Sequence, residues 1–225
     1  MMRALRIPGL ALAAAAAAVA VACGGASEAE PPPATSAAKV EVRELPPMGL
    51  EESRAAIRAF EAATIDPHAA PRVTIPGECG GIGFESLEAS VENADAIVIG
   101  RVSTIEFLFD GETQQLVRLE IEQVIRGDPR QLFVLNVSGG PRELDGSLVL
   151  TQHATNPLLL PGDRGLFLLQ KMSLTAAYVP QGISGQYRFD ADGRVTTVAG
   201  NPFAASIEKM SADSLVKKVR KLAAG

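Results

Sequence analysis

The sequence predicts a mainly β protein of the α+β class, with a small antiparallel β-barrel or sandwich and flanking short helices. From residue 95 onward, segments with strand character follow one another, separated by turns rich in Gly and Asp. Helical segments do not alternate with these strands, so a parallel sheet is not expected. Hydrophobic residues make up 47% of the 225-residue chain but aromatic residues only 4%, so the core should consist mostly of Val, Leu, Ile and Ala.

Residues 1–22 have the three parts of an export signal. A short positive region, MMRALR, precedes the apolar stretch LALAAAAAAVAVA, whose last residues are small and lead directly to Cys23. The stretch is too short to span a bilayer, which needs about 20 residues. We therefore expect residues 1–22 to be a removable signal peptide.

Two interpretations of the cleavage site remain open. The small residues AVA at 20–22 fit ordinary signal peptidase, which would release a soluble secreted protein with an incidental Cys23. The same residues also resemble the bacterial lipobox, in which the cysteine receives diacylglycerol and becomes the first residue. Ala20 departs from the Leu that is most common there, whereas Gly24 and Gly25 favour lipidation. We predict lipid attachment at Cys23, because two acyl chains suffice for stable anchoring.

Residues 23–48 are predicted to form a tether between the lipidated cysteine and a folded domain. This stretch consists largely of Gly, Ala, Ser, Glu and Pro, with three consecutive prolines at 31–33. Because it buries almost no apolar surface, we expect it to be disordered. Residues 49–78 should follow as a short helix at 50–64 and a Pro- and Gly-rich irregular segment.

The β-barrel domain is predicted over residues 79–200. A short helix at 86–94 begins at Ser86, a candidate N-cap. The strand DAIVIGRVSTIEFLF follows and ends at Asp110-Gly111, a strong hairpin turn because Gly tolerates positive φ. The next strand alternates between two faces, with Val117, Leu119 and Ile121 inward and Arg118, Glu120 and Glu122 outward.

Shorter strands complete the predicted domain. They are LFVLNVSGG, a short LVLTQHA, the buried LFLLQK after a PGDRG turn, and a hairpin of QYRF and RVTTV around DADG. Residues 201–225 are then predicted to form a C-terminal helical hairpin, with helices near 202–210 and 212–223. Asn201 is the candidate N-cap of the first helix, and Pro202 occupies its first position.

Three of these stretches carry a resemblance to a known family. SLEASVENADAIVIGRV, LEIEQVIRGDP and PGDRGLFLL are similar to the netrin-type module, the OB-like barrel also used by tissue inhibitors of metalloproteinases. The resemblance covers about residues 79–171 and implies an OB-like β-barrel. The family's motif positions fall on Cys79, Ala94, Asp95, Gly100, Gly127, Gly162 and Arg164.

The chain departs from this family at its cysteines. The family's barrel is usually braced by disulfides, whereas Cys79 has no cysteine partner in this domain. The inhibitors chelate the protease metal through the amine and carbonyl of an N-terminal cysteine. Cys79 lies mid-chain under either cleavage, so its backbone nitrogen is an amide, and metalloprotease inhibition is not expected.

The histidines and Cys79 give no metal-ligand pattern. His68 and His153 are the only histidines, and no CxxC occurs, so no metal or other cofactor is predicted. A meeting of His68, His153 and Cys79 in space is an alternative that their spacing does not support. If Cys23 is lipidated, Cys79 has no second cysteine in the chain with which to form a disulfide. We therefore hypothesise that Cys79 is a free thiol that becomes oxidised or forms an intermolecular disulfide.

The sequence predicts no catalytic residues. Ser138 and Ser184 each lack one of the two glycines of a nucleophile elbow and are interpreted as turn residues. Glu120 and Glu122 share one strand face, but alternation makes it the solvent face. The net charge of −5 argues against nucleic-acid binding, which needs clustered Lys and Arg.

These observations predict a bacterial extracytoplasmic lipoprotein anchored to the cell membrane or outer membrane through Cys23. Its barrel domain is expected to bind a protein or glycan at its loops without catalysis. An alternative is a secreted hydrolase with a site built from dispersed residues that include His153. A structural envelope component without a defined ligand is a third hypothesis.

Overall fold

The computed structural model describes residues 40–76, 83–109, 113–129, 132–136, 139–172 and 177–225, which form eleven strands and four helices. Most of the elements are strands, which confirms the mainly β class and the flanking short helices. The predicted signal peptide, Cys23, Cys79, Ser138 and the Asp110-Gly111 turn lie outside the described residues.

The elements follow one another in this order. The strands are β1 Val40–Val42, β2 Arg72–Ile75, β3 Ala96–Phe109, β4 Thr113–Arg126, β5 Leu132–Asn136, β6 Pro141–Leu144, β7 Ser147–His153, β8 Arg164–Lys171, β9 Tyr178–Pro180, β10 Gln186–Phe189 and β11 Val195–Thr197. The helices are α1 Leu50–Ala62, α2 Leu87–Glu92, α3 Ala204–Ile207 and α4 Ala212–Ala223, with a 3-10 turn at Gly182–Ser184.

A seven-stranded, mostly antiparallel sheet has the order β11-β10-β8-β3-β4-β5-β9. Its centre is the long β3–β4 hairpin, which pairs from Ile97 and Arg126 to Phe109 and Thr113. The predicted alternation along β4 is confirmed, because Val117 and Leu119 are buried while Arg118 and Glu120 are exposed. The hairpin of β10 and β11 is also confirmed.

Strand β9 was not predicted from the sequence. It pairs antiparallel with β8 over three residues and parallel with β5 at one residue pair, Val134 and Tyr178. Strand β9, the last in the sheet order, therefore also pairs with β8, which lies inside the sheet between β10 and β3. A three-residue strand such as Tyr178–Pro180 is too short to show the alternation by which strands are identified.

A four-stranded mixed sheet, in the order β1-β2-β7-β6, corrects two sequence predictions. Strand β1 lies within the predicted tether and β2 within the predicted irregular segment, and β1–β2 and β2–β7 pair in parallel. Residues 72–75 find their hydrogen-bond partners at 150–153, far along the chain. Pro71 and Pro76 flank β2 at positions where a strand tolerates proline, so they did not exclude it.

The helix at 86–94 is confirmed, with the Ser86 side chain accepting a hydrogen bond from the Ala89 N–H. The predicted helix at 202–210 is shorter in the structure, where α3 is the single turn Ala204–Ile207, and Asn201 Oδ1 accepts a hydrogen bond from the Phe203 N–H just before it. Helix α4 packs against α2, while α3 packs against β11. The C-terminal region therefore contains two helices, as predicted, with α4 at its predicted place and the first helix reduced to one turn.

Buried apolar residues form separate clusters on the two faces of the large sheet and beneath α1. The cluster beneath α1 contains Ile57, Phe60, Phe107 and Leu150. The rings of Phe60 and Phe107 meet edge to face, with centroids 5.8 Å apart. This cluster fixes α1 against the end of β3 and against β7.

Candidate functional site

The predicted site residues do not converge on one centre in the described part of the chain. The His68 ring places its Nε2 2.7 Å from the Pro161 carbonyl oxygen, whereas His153 lines a pocket near the end of β7. Within the described ranges, no group of three or more His, Cys, Asp or Glu side chains is arranged to hold a metal ion.

Ser184 has a structural role. It is fully buried in the 3-10 turn, and its Oγ accepts a hydrogen bond from the Phe84 N–H at 3.1 Å. Its carbonyl oxygen accepts a hydrogen bond of 2.8 Å from the Tyr187 hydroxyl. These bonds hold the turn against β10. They agree with the interpretation of Ser184 as a turn residue.

Glu122 is part of an ion-pair cluster on the outer face of the large sheet. Its carboxylate lies 2.8 Å from Arg164 Nη2 and 3.6 Å from Arg101 Nη2. The Arg164 guanidinium also lies over the Phe189 ring, 5.5 Å from its centroid. This arrangement joins β3, β4, β8 and β10 and gives Glu122 a structural role.

The strongest candidate site is a pocket of about 290 Å³ at one end of α1. It lies where the segment 45–48 and α1 meet the ends of β2, β3 and β4 and the β6–β7 hairpin. Much of its wall is apolar and consists of Leu45, Pro46, Met48, Ile75 and Phe109. The volume is close to the lower limit for small-molecule sites, about 300 Å³.

Arg142 supplies the positive charge of this pocket. Strand β6 pairs with β7, with Arg142 opposite Val149, and the residue is only 7% exposed. Its buried Nε lacks a hydrogen-bond partner, and among the described residues no carboxylate forms an ion pair with it. Burying a charge without a partner is costly, so this guanidinium is an unused binding group.

Ser53 adds an unused hydroxyl to the same pocket. It lies in the first turn of α1, where its N–H donates to the Gly49 carbonyl, and it is fully buried. Its Oγ has no hydrogen-bond partner in the part of the chain that the structure describes. The hydroxyl of Thr151, by contrast, donates to the Gly140 oxygen at 2.9 Å and accepts from the Gly140 N–H at 3.3 Å.

Gly139 allows the chain to pass close to β7 at this wall of the pocket. Its φ is +107°, and a Cβ at this position would lie 2.3 Å from the Thr151 carbonyl oxygen. Only glycine fits both the backbone angle and this close approach. The pocket wall therefore depends on Gly139, which lies shortly before β6.

Arg188 is a second buried arginine, and its two terminal nitrogens have partners, although its Nε, like that of Arg142, has none among the described residues. Its Nη2 donates to the carbonyl oxygens of Leu158 at 2.7 Å and Pro157 at 3.2 Å, and its Nη1 lies 3.5 Å from Asp163 Oδ2. Burial lowers the pKa of Arg188, while Asp163 opposes this effect. Arg188 thus secures the segment before β8, whereas Arg142 has no comparable partners among the described residues.

The sequence interpretation missed Arg142 and Ser53. The dipeptide Asp145-Gly146, flanked by PREL and SLVL, was a hairpin signal that would have placed Arg142 on a strand. Both turn residues have positive φ, 52° and 76°, as this turn type requires. Ser53 carried no signal, because a serine within an amphipathic helix is unremarkable in sequence.

Comparison with known proteins leaves the family of this chain open. No protein-family model matches the sequence, and no curated protein matches it. Among the described residues, none of the helices combines the length and apolar character that crossing a bilayer requires.

Proposed function

We propose that this protein is an extracytoplasmic bacterial lipoprotein, anchored by diacylglycerol on Cys23, whose domain binds a ligand without catalysis. The observation that carries the binding role is the pocket in which Arg142 and Ser53 are buried with unused hydrogen-bonding atoms. Groups of this kind reduce stability, and proteins retain such groups at functional sites. The pocket accommodates a small molecule or one residue-sized group of a protein or glycan ligand.

The proposal includes an OB-like barrel of the netrin type in the large sheet. It is supported by the pairing of β9 with both β5 and β8. It is also supported by the contacts of three residues that occupy motif positions of the netrin-type module. The Asp95 carboxylate accepts from the Lys171 N–H at 2.8 Å, Gly127 has a φ of +84° beside the Asp95 carbonyl, and Gly100 lies against the Glu120 carbonyl.

Mass spectrometry of the mature N-terminus tests the anchor. We expect a chain that begins at Cys23 and carries diacylglycerol, and a Cys23→Ser variant that is found in the soluble fraction. An unmodified Cys23, or a Cys23→Ser protein that stays in the membrane, would contradict the lipoprotein. Cys79→Ser is the matched control, because it removes the other thiol and should leave anchoring unchanged.

The same comparison tests the hypothesis for Cys79. If Cys79 forms an intermolecular disulfide, a non-reducing gel shows a dimer band for the wild-type protein and none for Cys79→Ser. Identical monomer bands, together with an unoxidised thiol by mass, would remove the hypothesis.

A hydrolase is the second candidate, because His153 and Ser53 line the same pocket. A histidine beside a hydroxyl is the minimum for a nucleophile activated by a base. An esterase and amidase screen decides between the two functions. Turnover by the wild-type chain that is lost in His153→Ala would replace the binding function by catalysis.

A further inference from the structure

The charge of the pocket indicates the sign of its ligand. Arg142 carries the only fixed charge among the described lining residues, and no Asp or Glu occurs among them. A guanidinium stays protonated in proteins, so it cannot escape burial by neutralising itself. A ligand that brings a negative charge would supply the missing counter-charge.

The donor arrangement favours a single, planar anion. A guanidinium binds a carboxylate through two parallel N–H···O bonds, and the Nε–H is one of the donors of this fork. In the described structure that Nε is buried and has no acceptor, and Ser53, whose buried hydroxyl also has no partner there, lines the same pocket. One positive charge balances one carboxylate, whereas a phosphate group would bring up to two charges.

The remaining wall defines the body of the ligand. Leu45, Met48, Ile75 and Phe109 are apolar, and the volume of about 290 Å³ suits a molecule no larger than a substituted aromatic ring or one amino-acid residue. Burial of such a body against these side chains contributes affinity in proportion to its apolar area.

We propose that the pocket binds a small apolar molecule or chain end that carries one carboxylate, with the carboxylate on Arg142 and Ser53. This inference rests on the proposed binding function and names its ligand class. The carboxylate replaces the water molecules that the guanidinium loses when it is buried on folding. The apolar wall disfavours polar molecules of similar size.

The test is a titration of the full chain, purified from membranes, with three acids and their neutral amides. The pairs are benzoate and benzamide, hexanoate and hexanamide, and N-acetyl-leucine and N-acetyl-leucinamide. We expect at least one acid to raise the melting temperature and bind about tenfold or more tightly than its amide. Phenyl phosphate tests a phosphate group in place of the carboxylate, and it should bind more weakly than benzoate.

Arg142→Met keeps the length and apolar stem of the side chain and removes the charge. We expect it to weaken binding of the acid by about tenfold or more without lowering the melting temperature of the unliganded chain. Arg118→Met, on the exposed face of β4, is the matched control and should leave binding unchanged. The melting temperature of the unliganded variant separates a lost contact from a failure to fold.

Other results of these titrations would contradict the carboxylate ligand, the binding site or the binding function. Amides that bind as tightly as their acids, or an Arg142→Met variant that keeps its affinity, would overturn the carboxylate while leaving a binding function. Binding by none of the acids would overturn the inference. Hydrolysis of an amide probe that is lost in His153→Ala would overturn the binding function itself.

Discussion

Gln115 forms two hydrogen bonds of 2.9 Å with the backbone of Leu159. Its Nε2 donates to the Leu159 carbonyl oxygen, and its Oε1 accepts from the Leu159 N–H. Both residues are fully buried. The side-chain amide thus replaces a neighbouring strand for Leu159, and it connects β4 to the irregular segment that leads to β8.

This pair predicts a large effect of Gln115→Leu on stability. Leu has a similar size but leaves a buried N–H and a buried carbonyl of Leu159 unpaired, so the free energy of unfolding should fall by about 2–5 kcal/mol. Denaturant unfolding measures the loss. Gln114→Leu, on the neighbouring position of β4, is the control, and an equal effect in both variants would contradict the assigned role.

Arg126 predicts a second stability effect. Its guanidinium donates to the carbonyl oxygens of Val91 and Glu92 at the end of α2 and of Ala223 at the end of α4. Positive charge is favourable at helix C-termini, so Arg126→Ala should lower the free energy of unfolding by about 1–3 kcal/mol. Arg118→Ala on the same strand should cost far less, and equal costs would show that the helix contacts are not responsible.

Tyr187 predicts loss of stability at alkaline pH. The side chain is fully buried, and burial raises the pKa of its phenol well above the usual value. Above about pH 10, where an unfolded tyrosine ionises, the folded state binds the extra proton and stability falls with rising pH. Unfolding measured against pH should show this decline in the wild-type chain. A Tyr187→Phe variant that declines to the same extent would contradict the assignment.

Glu208 predicts the opposite dependence at acid pH. Its carboxylate accepts from the Thr197 hydroxyl at 2.8 Å and the Thr197 N–H at 3.1 Å, and these bonds lower its pKa. The stabilisation is present above the unfolded pKa of about 4.3 and is lost as pH falls through the lower folded pKa. Thr197→Val should therefore be less stable than wild type at neutral pH, and the difference should shrink as the pH falls through the folded pKa of Glu208. A difference that persists at low pH would contradict this role.

Ser53 predicts a stabilising substitution. Ser53→Ala removes a buried hydroxyl that lacks a partner in the described structure and places a better helix former in α1. The free energy of unfolding should rise by about 0.5–2 kcal/mol. Ser53→Val, which adds volume at the same position, controls for packing. A marked loss of stability in Ser53→Ala would show that the hydroxyl is satisfied and is not an unused binding group.

The elements that could be predicted were those whose pattern and turn residues lie close together in the sequence. The β3–β4 hairpin was identified because alternation along β4 and the dipeptide Asp110-Gly111 are both visible within one segment. Strands β1 and β2 were missed because they are short and pair with residues far along the chain. The one-turn length of α3 was missed because the Asn201 side chain, which accepts from the Phe203 N–H, marks where a helix can begin and not where it ends.

The pocket could not be predicted for a related reason. It is assembled from the segment 45–48, one turn of α1 and the ends of five strands, and no two of its polar groups form a sequence motif. A surface arginine and a buried arginine whose Nε has no partner among the described residues look the same in sequence. The difference arises from the β6–β7 hairpin, which places Arg142 behind the 45–48 segment and α1.

The most direct measurement is the NMR resonance of the Arg142 Nε–H, assigned by its absence in Arg142→Met. We expect this signal to shift and to gain protection from exchange when the acid that binds is added. The matching amide should leave the signal unchanged. An Arg142 Nε–H signal that does not respond while the acid binds elsewhere on the chain would contradict the assignment of this pocket as the binding site.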